Sequence, residues 1–125
     1  MIKQLLLVGL GGGAGSMLRY LTSWFVERHL CWHAPSGTFI VNVAGCFLVG
    51  LLAALSARGG VLGEEGRLLF ITGFCGGYTT FSTFSAENVT LLHEGNYVLL
   101  GLYAACSLVT GAGAVWLGSL AARHF

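Results

Sequence analysis

Three groups of residues in this chain could do chemistry where chemistry is costly. The first is Asn42, in the otherwise apolar run Phe39-Ile40-Val41-Asn42-Val43-Ala44. A side-chain amide in such a segment is penalised unless it finds partners. It can bond to a neighbouring helix, or it can present its two N–H donors to something passing. The second is the pair Phe81 and Phe84, three residues apart and so on one face of a helix. An aromatic ring carries a positive edge, and beside the hydroxyls of Thr80, Ser82 and Thr83 such edges would favour a small anion without any fixed cation. The third is the glycine group Gly73, Gly76 and Gly77 immediately before them. Glycine lets a helix unwind and release backbone carbonyls. Those carbonyls would be satisfied by a hard cation, by Thr79 or Thr80, or by a neighbouring helix.

These residues need elements to hold them, and composition says what those elements are. Of 125 residues 55% are hydrophobic and only 9% charged, with a mean hydropathy of +0.79. A soluble domain of this size needs more charge to cover its surface. Four apolar stretches, about 2–25, 38–57, 68–92 and 97–122, each have the roughly 20 residues that cross a hydrocarbon core. The expected fold is an all-α integral membrane protein, a single four-span domain over 1–125 whose third span is broken. The connection His93 to Asn96 is so short that the last two spans must be antiparallel neighbours. Glycines inside the spans, Gly9 to Gly15 and Gly101 to Gly118, fit close helix packing. The run Gly11-Gly12-Gly13-Ala14-Gly15 lacks the preceding strand and the lysine of a phosphate loop.

The charges are sparse enough to read one by one. Lys3, Arg58, Arg67 and Arg123 fall on one face of the membrane and Arg19 and Arg28 on the other, a count of 4 to 2 that leans towards cytoplasmic termini. A net charge of +1 gives no reason to expect nucleic acid. The N-terminal apolar stretch continues past Arg19 to Phe25, too long for a signal-peptide core. Cys31, Cys46, Cys75 and Cys106 show no metal-ligand spacing and read as small apolar residues. Arg19 and Glu87 are the ionisable residues in or near spans. Each either snorkels to the interface or stands at a pore mouth, and they are candidates to pair with each other.

The motifs Gly12-x-x-Gly15-x-x-x-Arg19-Tyr20, Gly37-Thr38-x-x-x-Asn42-x-x-Gly45 and Gly73-Phe74-Cys75-Gly76-Gly77-Tyr78-Thr79-Thr80-Phe81-Ser82-Thr83-Phe84 resemble the signatures of the Fluc (CrcB) fluoride channels. The resemblance covers the whole chain. It implies a channel, not an enzyme: a multi-pass protein of the cell (inner) membrane, a dual-topology antiparallel homodimer with two fluoride pores that release cytoplasmic fluoride passively. It implies pore roles for Asn42, Phe81, Phe84, Thr80, Ser82 and Thr83, a vestibule role for Arg19, and a place for Glu87 at the end of the third span. It implies a structural Na⁺ at the dimer interface, held by the backbone carbonyls of Gly76 and Thr79. In the fourth span the resemblance implies a polar track through Tyr103 and Ser107, at i and i+4, but the next position on that face is Gly111, which has no hydroxyl. The alternative is a small proton-coupled exporter of organic cations, which would need Glu87 as its acidic site. A purely structural membrane subunit would leave the polar break without a use.

Overall fold

The computed structural model describes residues 1–30 and 35–125, which are mostly helical and joined by short turns and non-helical residues. Helix α1 is Ile2–Leu30 and α2 is Ser36–Ala57. A helical run over 64–78, here α3, begins with Glu64–Gly66, widens into a π-helical stretch Arg67–Cys75 and closes with Gly76–Tyr78. Helix α4 is Phe81–His93, and α5 is Tyr97–Ala121 with a 3₁₀ turn Ala122–His124. At 1.5 Å per residue, the 29 residues of α1 run about 43 Å, more than the hydrocarbon core needs. It continues past Phe25 because Glu27, Arg28 and His29 can extend a helix into water.

Helix α2 and the segment Tyr97–His124 are each long and apolar enough to cross a membrane, yet only 22% and 17% of their most apolar windows are buried. Val98, Leu108 and Val109 on α5 are more than 70% exposed. An outer face this apolar is suited to lipid or to a partner, not to water.

Two close helix pairs form the bundle. On α1, a Cβ placed on Gly11 or Gly15 would fall 2.1 Å from the carbonyl oxygens of Leu69 and Phe74 in α3. Between α2 and α5, a Cβ on Gly50 would meet Val115 O at 2.0 Å and one on Gly118 would meet Phe47 O at 2.1 Å. Backbone thus lies on backbone in both pairs, the use small residues have in membrane helices. Between α4 and α5, Gly95 takes φ +74° while its N–H donates to Leu92 O and the Asn96 N–H to Leu91 O. These bonds end α4 in a Schellman motif and turn the chain back on itself.

At one end of the bundle Lys3 Nζ pairs with Glu65, and Arg58 Nη1 donates to Ala122 O at 2.5 Å. The ends of α1 and α3, and those of α2 and α5, are tied there. Cys46, Cys75 and Cys106 are free thiols; Cys31 lies outside the described residues.

The glycines of the third span behave differently from their expected unwinding. Gly76 is helical, φ −62° and ψ −36°, and a Cβ on Gly77 would fall 2.4 Å from Gly12 O. They allow α1 to approach closely. The residues with extended backbone are the next two, Thr79 (φ −82°, ψ 156°) and Thr80 (φ −148°, ψ 119°). Both are β-branched, which suits extended backbone better than helix.

Gly118→Val should force α2 and α5 apart and cost about 3 kcal/mol, the upper end for overpacking, because the obstacle is backbone. Gly101→Ala, with nothing within 4 Å of its Cβ, should leave stability unchanged or raise it. Thermal unfolding of the two variants in the same detergent checks the contrast, and equal midpoints would refute the packing account.

Candidate functional site

The extended pair Thr79–Thr80 is held from α2. Asn42 Nδ2 donates to the Thr80 carbonyl at 3.0 Å, and the Thr80 N–H donates to Asn42 Oδ1 at 2.7 Å. A side-chain amide here does what a neighbouring strand would do, satisfying both polar groups of a residue that has left its helix. One turn along α2, a Cβ on Gly45 would fall 2.2 Å from Thr79 Cγ2. Asn42 and Gly45 therefore act together: the first binds Thr80 and the second makes room for Thr79.

The clamp and the cap of α4 redirect two N–H donors, in a break that leaves the carbonyls of residues 76 to 79 without their helical donors. In a continuous helix the Thr80 N–H would bond Gly76 O, but it goes to Asn42. The Thr83 N–H would bond Thr79 O, but it donates to Thr80 Oγ1 at 3.3 Å, capping α4. Thr80 Oγ1 in turn donates to Thr83 Oγ1 at 3.1 Å, and Ser82 Oγ stands 3.5 Å away. Cys75 O is satisfied twice, by the N–H and the hydroxyl of Thr79, each at 3.0 Å. Gly76 and Thr79 are thus left with carbonyls deprived of their helical donors.

Two cavities meet at Thr80. One, about 300 Å³, is lined by Asn42, Cys46, Thr79, Thr80, Phe81, Phe84 and Ser107 among others, with no charged residue. The other, about 260 Å³, carries the charges: Arg19, Glu27 and Glu87, with Ser16, Thr38, Thr80 and Thr83. Arg19 Nε is buried with no hydrogen-bond partner among the described residues. The sequence candidates therefore divide into a neutral set around Asn42 and a charged set around Arg19, with Thr80 shared.

The aromatic residues do not share one environment. The Phe81 and Phe84 rings are 5.9 Å apart, centroid to centroid, with 40° between their planes. Phe84 also meets Tyr103 edge-on at 5.0 Å and 62°. Phe81 is 78% exposed although it lines the neutral cavity, so the wall is incomplete on that side. Tyr103 lines neither cavity. It is buried, and its hydroxyl donates to Glu87 Oε1 at 3.2 Å. Ser107 and Gly111 of the fourth span do line the neutral cavity. Ser82 and Gly76 line neither cavity.

Sequence reasoning missed the Asn42–Thr80 pairing, the Tyr103–Glu87 bond and the contribution of Cys46 to the neutral cavity. The i, i+4 spacing of Asn42 and Cys46 signals the last of these, since it puts both on one face of α2. The spacing Thr80-x-x-Thr83 is a capping pattern that signals where α4 starts. Nothing local to Asn42 names its partner 38 residues away.

Residues 6–119 match the family described as CrcB-like protein, Camphor Resistance (CrcB). Similar proteins include the fluoride-specific ion channel FluC of Azobacteroides pseudotrichonymphae, 46% identical over 125 residues and covering all of both chains. The protein of that name from Methanococcus maripaludis is 44% identical over 99% of each chain. Another from Flavobacterium psychrophilum is 38% identical over 98% of this chain and 99% of its own.

Asn42→Ala should leave the Thr80 N–H and C=O unpaired and cost about 2 kcal/mol or more. Hydrogen exchange at the Thr80 amide in detergent should accelerate at least tenfold while exchange in α2 and α5 stays slow. Unchanged protection at Thr80 would show that the clamp is not what holds the break.

Proposed function

The chain belongs to the CrcB-like family, and from that membership and the geometry of its two cavities we propose that it is a passive, fluoride-selective ion channel. The observation that carries this reading is Thr80, which lines both a charged cavity and a neutral, donor-lined one. At the charged mouth Arg19, whose Nε is buried without a partner among the described residues, offers the anion a cationic donor beside the carboxylates of Glu27 and Glu87. The ion then sheds water against neutral donors: the second N–H of Asn42, the hydroxyls of Thr83, which Thr80 orients by donating to it, and Ser107, and ring edges of Phe81 and Phe84. Ser82, exposed beside Thr80, would add a hydroxyl at the entrance. Conduction requires binding strong enough to enter and weak enough to leave, which favours neutral donors at the narrow point.

Tyr103 enters this scheme indirectly. Its hydroxyl is committed to Glu87 and its ring meets Phe84 edge-on, so it orients both rather than offering a free donor. Glu87 itself, in the charged cavity and hydrogen-bonded, sits where it can order water at the mouth.

The subunit is proposed to work as an antiparallel homodimer with two pores. Phe81 supports this, because its exposed ring leaves one wall of the neutral cavity to be completed. A structural Na⁺ fits the freed carbonyls of Gly76 and Thr79, which are hard oxygens of the kind such ions take in discontinuous membrane helices. An antiparallel pair would supply four of them. In the cell the protein would lie in the inner membrane as a single four-span domain in both orientations. Hydrogen fluoride enters as a neutral acid, dissociates in the cytoplasm and leaves through the channel as F⁻ down its gradient.

Fluoride efflux from proteoliposomes, followed with a fluoride electrode beside a chloride assay, tests the proposal. Fast fluoride release without chloride leak is expected. Release of neither ion by folded protein would reject it and turn attention to Glu87 as an exporter's acidic site.

Phe81→Ile and Phe84→Ile should each lower fluoride efflux at least tenfold while the protein keeps its elution volume in detergent. Wild-type rates in both would remove the ring edges from the mechanism. Asn42→Asp should suppress efflux similarly, because a carboxylate sets its second oxygen against Thr80 O and repels the ion.

A further inference from the structure

At the end of the bundle where Lys3 pairs with Glu65, a cavity of about 530 Å³ opens between the last turn of α2 and the first turns of α3. It is lined by Ser56, Leu62, Glu64, Arg67, Leu68 and Thr72. It lies away from Thr80 and from both cavities of the candidate pore. Its two charges are unusual for this molecule. Glu64 and Arg67 are three residues apart on one helical run, so they share a face, yet no ion pair joins them and neither has a partner among the described residues. Glu65, beside them, is taken by Lys3. The Ser56 hydroxyl reaches Leu62 O only at 3.5 Å, and that long bond spans the cavity's rim.

The surroundings place this cavity at the boundary between hydrocarbon and water. It begins where the apolar run of α2 stops, and Val61 and Phe70 nearby are 63% and 44% exposed. A simple anion drawn to Arg67 would be opposed by Glu64, and a simple cation drawn to Glu64 by Arg67. A group carrying both charges a few ångströms apart satisfies both.

We propose that this cavity binds the phosphoethanolamine headgroup of a membrane phospholipid. Arg67 takes the phosphate in the planar, multi-donor way guanidinium favours, with the Thr72 hydroxyl available beside it. Glu64 accepts N–H bonds from the primary ammonium, which a choline headgroup cannot give because its nitrogen carries no hydrogen. Leu62 and Leu68 face the glycerol and the start of the acyl chains. This inference rests on the bundle lying in a bilayer and not on which ion it conducts.

The experiment is thermal unfolding of the purified full chain in detergent micelles, alone and doped with phosphatidylethanolamine, with phosphatidylcholine of the same acyl chains, or with soluble phosphoethanolamine. Phosphatidylethanolamine should raise Tm by several degrees, the signature of a ligand that binds only the folded state. Phosphatidylcholine should raise it less than half as much. Arg67→Gln and Glu64→Gln should each lose most of the phosphatidylethanolamine shift while starting from a cooperative transition. Either variant, if monodisperse, suffices for the comparison. Equal shifts from the two lipids, or a full shift retained in both variants, would overturn the proposal. A shift from soluble phosphoethanolamine matching that of the lipid would overturn the lipid as its source.

Discussion

The arrangement depends on one pairing, the two hydrogen bonds between the Asn42 amide and the backbone of Thr80. A residue with extended backbone between two helical segments would otherwise present an unpaired N–H and C=O in surroundings that punish both. Asn42 satisfies the two groups at once, with an amide whose donor and acceptor are spaced like those of a peptide. Because Thr80 is fixed, its hydroxyl is aimed, and because its hydroxyl is aimed, it caps α4 by accepting from the Thr83 N–H. The start of α4 then sets the positions of Phe81 and Phe84. Gly45 completes the joint by leaving room for Thr79 against α2. What looks from the sequence like a lone polar residue is the hinge pin of the third span.

In the proposed channel, the neutrality of the cavity around Asn42 follows from energetics. A unit charge 4 Å from an anion is worth about 4 kcal/mol even at an effective dielectric constant of 20. That is nearly three decades of binding, hence of slower release. Hydroxyls, an amide N–H and ring edges are each worth far less and act additively, so they can replace a hydration shell without trapping the ion. The charges stand in the adjoining cavity, where Arg19 and Glu87 face the same space. In the proposed channel the charged and neutral cavities are joined by the one residue that borders both, Thr80.

The helices were legible because their signal is redundant. No charge interrupts 38–57 or 97–122, and small residues recur where backbones touch. Helix α1 runs on past the expected span to Leu30, because hydropathy reports where lipid stops, not where a helix does. The break was assigned to the glycines because glycine permits unwinding. Permission is not cause: Gly73 and Gly77 stay helical to let α1 approach, and the helix ends where Asn42 captures the next amide. The family resemblance implies a polar track through Tyr103 and Ser107, while the Tyr103 hydroxyl reaches Glu87 16 residues away in sequence. Spacing along one helix cannot tell which of two neighbours a long side chain will choose. Residues whose role is set by their own helix were readable; those whose role is set by another helix were not.

The subunit also carries features that make sense only if something covers them. Phe81 is a large apolar ring with most of its surface free, at the rim of the neutral cavity beside the exposed Leu108. The carbonyls of Gly76 and Thr79 lost their helical donors to the clamp and the cap, and Gly76 is exposed. A monomer in lipid would leave that ring beside a wet cavity and those oxygens facing hydrocarbon, where an unpaired carbonyl costs several kcal/mol. In the proposed dimer a second copy, related by a two-fold axis in the membrane plane, would bring the same ring and the same oxygens to the same seam. The ring would then close a cavity wall, and the oxygens would form a set fit for a hard cation. On this reading the clamp that shapes the proposed pore also creates the demand for a partner, so that the proposed assembly and the proposed conduction rest on the same two hydrogen bonds.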